Sequence, residues 1–367
     1  MGIAKEKSIF SESYYGGRPW VSIVIPCRNE KDHIESCIRS ILAQQPPPGG
    51  FEVIAADGMS DDGTRDVLVR LSKEDSRLRI VDNAGQIVST GLNAAIREAK
   101  GSIIIRMDAH TNYASDYVRR CVEVLEETGA DNVGGPWIAS GKGEIGKAIA
   151  AVFQSPFSCG GARGHDPNYS GPVDTVYLGC WRREIFDRIG FFDEELIRNQ
   201  DDELNLRLIR CGGKIWQSAR IKSWYEPRAS LSAFFHQYVQ YGYWKVRVIQ
   251  KHKIPASLRH LVPGCFVFLL VVLPVAALLW SPGMWIWFGL LAVYTLCNVI
   301  TSFAIAARKN YSLFPLLIVC FACVHIAYGY GFLRGLWDFL ILRSSPARRF
   351  TLLTRRPSQL PQKKQTG

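Results

Sequence analysis

Charge is missing from long stretches of this chain's C-terminal part. No Asp, Glu, Lys or Arg occurs from Leu261 to Ala307, and none from Tyr311 to Leu333. Core helices of soluble proteins rarely run so far without an ionisable residue, so a merely greasy core is excluded. A helix needs ~20 apolar residues to cross a bilayer. The region 261–343 therefore predicts three membrane helices, at 261–281, 284–306 and 311–333.

An apolar leader is missing too. The N-terminal segment 1–19 carries Lys5, Glu6, Lys7, Glu12 and Arg18 among scattered apolar residues, with no run like that of a signal peptide. This predicts that everything before residue 260 stays in the cytoplasm. Clustered cysteine is scarce: the ten are dispersed, and the one Cys-x-x-Cys, Cys320 with Cys323, lies inside an apolar run, where it reads as packing. Acid is absent where base is dense. Six Lys or Arg fall between Arg228 and Arg259 and seven between Arg343 and Gly367, with no Asp or Glu in either segment. Both clusters abut the apolar region. The net charge of +11 thus points away from nucleic acid and toward anionic lipid on the cytoplasmic face of a bilayer.

These signals conflict over topology. With Arg228 to Arg259 inside, Ser281-Pro282-Gly283 lies outside and Arg308-Lys309 lies inside again. A third crossing from Tyr311 would export the basic tail, 344–367. Either that segment crosses, or Tyr311 to Leu342 turns back, loosened by Gly329, Gly331 and Gly335. Length favours three crossing helices.

What is present begins with alternation. Strands are predicted at Val21–Pro26, Phe51–Ala56, Leu78–Asp82 and Ser102–Met107, with helices at Glu30–Ala43, Arg65–Lys73 and Thr90–Ala99 between them. This order predicts an α/β domain over 20–227, with a mainly parallel sheet and ligand at the carboxyl ends of its strands. Further on come a helix from Asp116, a strand near Asp131–Gly135, and a Gly- and Ser-rich segment from Gly141 to Gly171 expected to be mobile over the site. Strand and helix follow at Tyr177–Cys180 and Arg182–Ile189, then a helix at Asp201–Arg210. In the segment 228–260, Leu231, Phe234, Phe235, Tyr238 and Tyr241 share one helical face, suited to lying along a membrane surface.

Polar residues gather at the strand ends. Pro26, Asn29 and Glu30 follow the first strand, and Asp57 opens Asp57-Gly58-Met59-Ser60-Asp61-Asp62-Gly63-Thr64 after the second. Carboxylates at such positions can accept hydrogen bonds from a nucleotide's base or ribose. Arg106 and Asp108 close another strand, and Asp108 and His110, two apart in extended chain, can share one side facing a cation, Mn²⁺ or Mg²⁺. Asp201, Asp202 and Glu203 open a helix. Acids there are ordinary partners of the helix dipole, yet one of them can also serve as a general base.

Together these blocks resemble the inverting GT-A glycosyltransferases of family 2. Asp57 to Thr64 matches the family's Asp-Gly-x-Ser-x-Asp-Gly-Thr block; the usual Asp-x-Asp appears as Asp108-Ala109-His110, and the Glu-Asp motif appears as Gln200-Asp201. His for the second metal acid and Gln for Glu are departures. Both fit the succinoglycan-type exopolysaccharide glucosyltransferases, which share Arg-Met-Asp-Ala-His, Asn-Gln-Asp-Asp-Glu-Leu-Asn and the block from Gln237 to Trp244. The resemblance implies a UDP-sugar donor, held by Pro26, Asn29, Glu30, Asp57, Arg106 and Asp108, and an undecaprenyl-diphosphate-linked saccharide acceptor. It also implies a bacterial cytoplasmic membrane location, with a polysaccharide-synthesis complex as a candidate partner. Asp201 would be the base. Gly179, Cys180 and Trp181 resemble the acceptor-binding loop, with Asp202 beside it, and Arg228, Lys245 and Arg247 are candidates for the acceptor diphosphate. Processive cellulose- or hyaluronan-type synthases carry a Gln-x-x-Arg-Trp motif that does not follow Gln217. A non-catalytic nucleotide-binding scaffold would not need Asp57, Asp108 and Asp201 intact.

Overall fold

The computed structural model describes residues 20–227 and 230–351. The segment 1–19, Arg228 and the tail beyond 351 lie outside the described residues.

The first half winds as the alternation predicts. β1 (Val21–Cys27), α1 (Lys31–Leu42), β2 (Phe51–Asp57), α2 (Thr64–Glu74), β3 (Leu78–Asp82), α3 (Val88–Glu98) and β4 (Ile103–Arg106) follow in order. β1 lies between β2 and β4, parallel to both, with Val21 opposite Phe51 and Ile103. These strands are almost continuous runs of buried aliphatic residues, because helices cover both faces of the sheet.

β5 (Thr111–Tyr113), α4 (Tyr117–Thr128), β6 (Asn132–Gly135) and β7 (Ile138–Ala139) come next. The segment expected to be mobile instead holds α5 (Gly143–Phe153) and α6 (Pro156–Cys159), with a 3₁₀ turn at Arg163–His165. Its glycines hid an apolar face: Ala148, Ile149, Val152 and Phe153 of α5 are buried. β8 (Gly171–Pro172), β9 (Tyr177–Arg182), α7 (Glu184–Ile189), α8 (Gln200–Arg210), β10 (Ile215–Gln217) and β11 (Ser223–Tyr225) complete the domain. The main sheet runs β3-β2-β1-β4-β9-β6-β10-β8, with β9 antiparallel to both its neighbours, and a small sheet runs β5-β11-β7.

The remaining elements are helices: α9 (Leu231–His252), α10 (Val262–Ala276), α11 (Pro282–Lys309) and α12 (Phe314–Leu336), the last continuing as a π turn over Trp337–Ile341. α10, α11 and α12 are each part of a stretch long and apolar enough to cross a membrane. The aromatic face of α9, expected to lie on a membrane surface, is taken by protein. Phe234 is fully buried among Phe153, Leu317 and Phe321. Further along, α9 and α12 meet backbone to backbone, since a Cβ at Gly331 would stand 2.1 Å from the carbonyl oxygen of Val239.

Candidate active site

A cavity of about 670 Å³ opens at the carboxyl end of β1 and β4, the place a doubly wound sheet reserves for ligand. Arg106, buried at the end of β4, organises its floor. Its Nε and Nη2 donate to the two oxygens of Asp108 at 2.9 and 3.1 Å, and its Nη1 donates to Asp201 at the start of α8. One guanidinium thus joins two carboxylates that lie far apart in the chain, Arg106 itself standing 95 residues before Asp201. Such a planar fork suits two acids better than a lysine would. Asp108 is fixed from the other side by Tyr113, whose hydroxyl accepts from its backbone N–H at 2.6 Å.

Asp201 has a pKa above the ordinary carboxylate range. Surrounding protein desolvates it, Arg106 opposes the rise, and the nearby charges of Asp108 and Asp202 add to it. Its side chain keeps 38% exposure, so the carboxylate is open to the cavity. Asp202, one residue on, goes the other way. Burial would raise it, but Lys245 Nζ at 2.5 Å, with His260 beyond, outweighs burial and holds it below the usual range. Adjacent acids on one helix turn are therefore set to different proton affinities.

Among the described residues no cluster of three or more His, Cys, Asp or Glu stands ready to hold a metal ion. Asp108 and His110 both line the cavity, and Glu30 approaches His110 at 3.9 Å. Mg²⁺ is commonly held by one or two carboxylates with substrate phosphates supplying further ligands. A carboxylate bonded to Arg106 still keeps a second lone pair on each oxygen. The residues present fit a cation shared with a diphosphate.

Other expected donor residues divide. Pro26, Glu30 and Arg106 line the cavity. Asp57 and Asn29 are not on its wall. Asp57 accepts from the hydroxyl of Ser60 at 2.5 Å and pairs with Arg65 at 3.4 Å, while Asn29 and Asp61 exchange bonds of 2.9 and 3.0 Å. These contacts stitch the loops after β1 and β2 together, so the two residues shape the wall from behind.

The acceptor expectations need more correction. Gly179, Cys180 and Trp181 are not a loop but the middle of β9, paired to both β4 and β6. Cys180 is fully buried, and Trp181 packs edge-on against Phe186 and Phe192 behind the sheet. Arg247 points away from the cavity, bonded to Glu195 at 2.7 Å and lying over the ring of Phe339. Lys245 and Asp202 do line it, as an ion pair.

Sequence reading missed the aromatic wall. Trp137 stacks on Tyr177 with ring centres 5.3 Å apart, Tyr225 packs edge-on against Trp137, and all three rings line the cavity. Flat apolar rings beside polar groups suit the faces of sugar rings. Each stands alone in sequence, and only the fold gathers them. The far wall comes from the helical region: Arg259, His260 and Pro263 before and at the start of α10, and Val324 and Tyr328 of α12. The cavity therefore runs from the strand ends to the base of the apolar helices.

Comparison with known proteins places this geometry. Residues 22–190 match the family model described as Glycosyl transferase family 2. The chain is 34% identical over 325 residues to the succinoglycan biosynthesis protein ExoA of Rhizobium meliloti (strain 1021), covering 86% of this chain and 95% of that protein. It is 27% identical, over 86% of this chain and 97% of the relative, to a dolichyl N-acetyl-α-D-glucosaminyl phosphate 3-β-D-2,3-diacetamido-2,3-dideoxy-β-D-glucuronosyltransferase of Methanococcus voltae. In fold it is similar to the mannosyltransferase PcManGT from Pyrobaculum calidifontis, solved with GDP-Man and Mn²⁺, with a TM-score of 0.56, 18% identity and 91% of each chain covered.

Proposed function

The chain belongs to glycosyl transferase family 2, and from that premise we propose that it transfers a sugar, glucose first among candidates, from a UDP-sugar to a lipid-linked saccharide during exopolysaccharide synthesis. The observation that carries this reading is the Asp201–Arg106–Asp108 unit at the strand ends, in a cavity that continues to the apolar helices. A relative whose name includes dolichyl phosphate supports an acceptor with a lipid anchor.

Transfer proceeds as one displacement with inversion. Asp201 takes the proton of the acceptor hydroxyl as that oxygen attacks the anomeric carbon, and the bond from that carbon to the diphosphate breaks. The nucleoside diphosphate leaves with the bonding pair. Arg106 keeps Asp201 ionised and aimed into the cavity. Asp108 and His110 would hold a divalent cation, Mn²⁺ or Mg²⁺, which when bound neutralises charge on the leaving diphosphate. The aromatic wall of Trp137, Tyr177 and Tyr225 shields the sugar from water. Lys245, fixed by Asp202, and Arg259, fixed by Asp174, stand where an acceptor diphosphate would reach in from the membrane side. The catalytic domain faces the cytoplasm of a bacterial inner membrane in this reading.

Washed membranes offered several radiolabelled UDP-sugars in turn, with and without EDTA, test it. A labelled product that extracts with lipid, one sugar longer than the acceptor and absent in EDTA, is expected. Products many sugars long would favour a processive synthase, and no product from any donor would favour a scaffold.

A further inference from the structure

Three apolar helices of sufficient length suggest three crossings, yet they differ sharply in what they touch. Half of the apolar window of the α12 stretch is buried against protein, compared with 6% and 17% for those of α10 and α11. The hairpin tip is bare, with Leu278, Leu279 and Trp285 exposed by 83%, 96% and 78%. From the geometry we infer that α10 and α11 enter the bilayer as a hairpin, whereas α12 does not cross. It lies in the plane of the membrane surface, between the lipid and the catalytic domain.

The contacts along α12 carry this. Just before it, the Ser312 hydroxyl donates to Glu144 at 3.1 Å, in the first turn of α5. At its middle, His325 Nε2 donates to the carbonyl of Phe157 at 3.0 Å. Past its end, Gln250 of α9 donates to the carbonyl of Phe339 at 3.1 Å. α9 is in turn bound to the catalytic domain by Lys245 to Asp202 at 2.5 Å and Arg247 to Glu195 at 2.7 Å. From Ser312 to Phe339 a helix covers ~40 Å, more than the ~30 Å hydrocarbon core. A helix that crossed would leave the domain behind at one end. This one stays on the domain as far as its middle and on α9, itself bound to the domain, from there to its end.

The opposite face of α12 fits lipid. Val319, Ile326, Tyr330, Trp337 and Ile341 are exposed, and their alternating steps of seven and four place them in one stripe along the helix. One apolar stripe outward with the other face on polar or protein partners is the pattern of a helix lying in the interface. The chain after α12 agrees. Phe350 is buried, stacked on Tyr243 of α9 with ring centres 4.0 Å apart. That contact returns Arg343, Arg348 and Arg349 to the side of Lys245 and Arg247, so the basic clusters that conflicted over a third crossing come to share one side, in line with positive-inside bias.

Thiol accessibility in intact cells tests it. In a parent with Cys265→Ala and Cys297→Ala, one variant keeps the exposed Cys211 of the catalytic domain, and another carries Cys211→Ser with Ser345→Cys, an exposed position after α12. A triple variant lacking all three exposed thiols supplies the blank. With a membrane-impermeant maleimide, Cys211 and Ser345→Cys should respond alike, both protected until lysis. Labelling of one and protection of the other before lysis would overturn the inference, whichever of the two reacts. The readout needs no catalysis, so an inactive protein would leave it intact.

Discussion

At the scale of residues, the pair Asp201 and Asp202 shows how much chemistry one neighbour decides. Both carboxylates are crowded by protein, but Lys245 lowers Asp202 while Asp201 stays raised despite Arg106. Asp201→Asn should lower turnover by ~10²–10⁴-fold with nucleotide binding nearly unchanged, because in the proposed mechanism the base meets the acceptor and not the donor. Transfer assays beside nucleotide titration measure the two separately, and near wild-type turnover would move the role to Asp202. The pH profile follows from the raised pKa. A base works ionised, so the rate falls as pH falls through the Asp201 pKa, and this acidic limb should lie above the ordinary carboxylate range. Arg106 opposes that rise, so Arg106→Gln should carry the limb to still higher pH. A purely structural role would lower the rate equally at every pH. The positions of Asp108, His110 and Asp201 were legible because strand ends and helix starts are signalled by local pattern. The role of Arg106 as a bridge was not, since its partner at Asp201 is supplied only by folding.

At the scale of elements, the strands predicted from β-branched runs match the observed ones to within a residue or two. Burial on both faces leaves a nearly unbroken apolar run, which is hard to mistake. Segments rich in small residues misled. Gly141 to Gly171 read as mobile, although α5 buries Ala148, Ile149 and Val152, and Gly179-Cys180-Trp181 resembles an acceptor-binding loop, although the strand read at Tyr177–Cys180 runs on past Trp181 and pairs on both sides. Glycine has two uses, turning and close packing, and sequence alone does not separate them. The contact of α9 with α12 is of the second kind. At Gly331→Ala the new methyl would meet the Val239 carbonyl at 2.1 Å, so the two backbones must part. Overpacking of this sort costs ~1–3 kcal/mol. Thermal unfolding in detergent should show a lower Tm for this variant, while Gly289→Ala, with open space around it, serves as the neutral control.

For the whole molecule, the membrane region is less an anchor than a part of the site. The α10–α11 hairpin exposes apolar surface far beyond what a soluble protein tolerates. The protein should therefore stay in the membrane pellet after an alkaline carbonate wash, and release into the supernatant would contradict insertion of the hairpin. Composition made these helices easy to find, but not the division of labour among them, because hydropathy does not record which face meets lipid and which meets protein. The cavity takes its far wall from Pro263, Val324 and Tyr328, and α9 is clasped by Phe350. All four residues follow the sheet domain in the chain. A nascent chain that has already folded its sheet still lacks a closed site until the hairpin has entered the bilayer and α12 has settled beneath the domain. Chain order thus sets an order in time: the pocket gains its far wall only after the apolar helices that supply it have been made and seated.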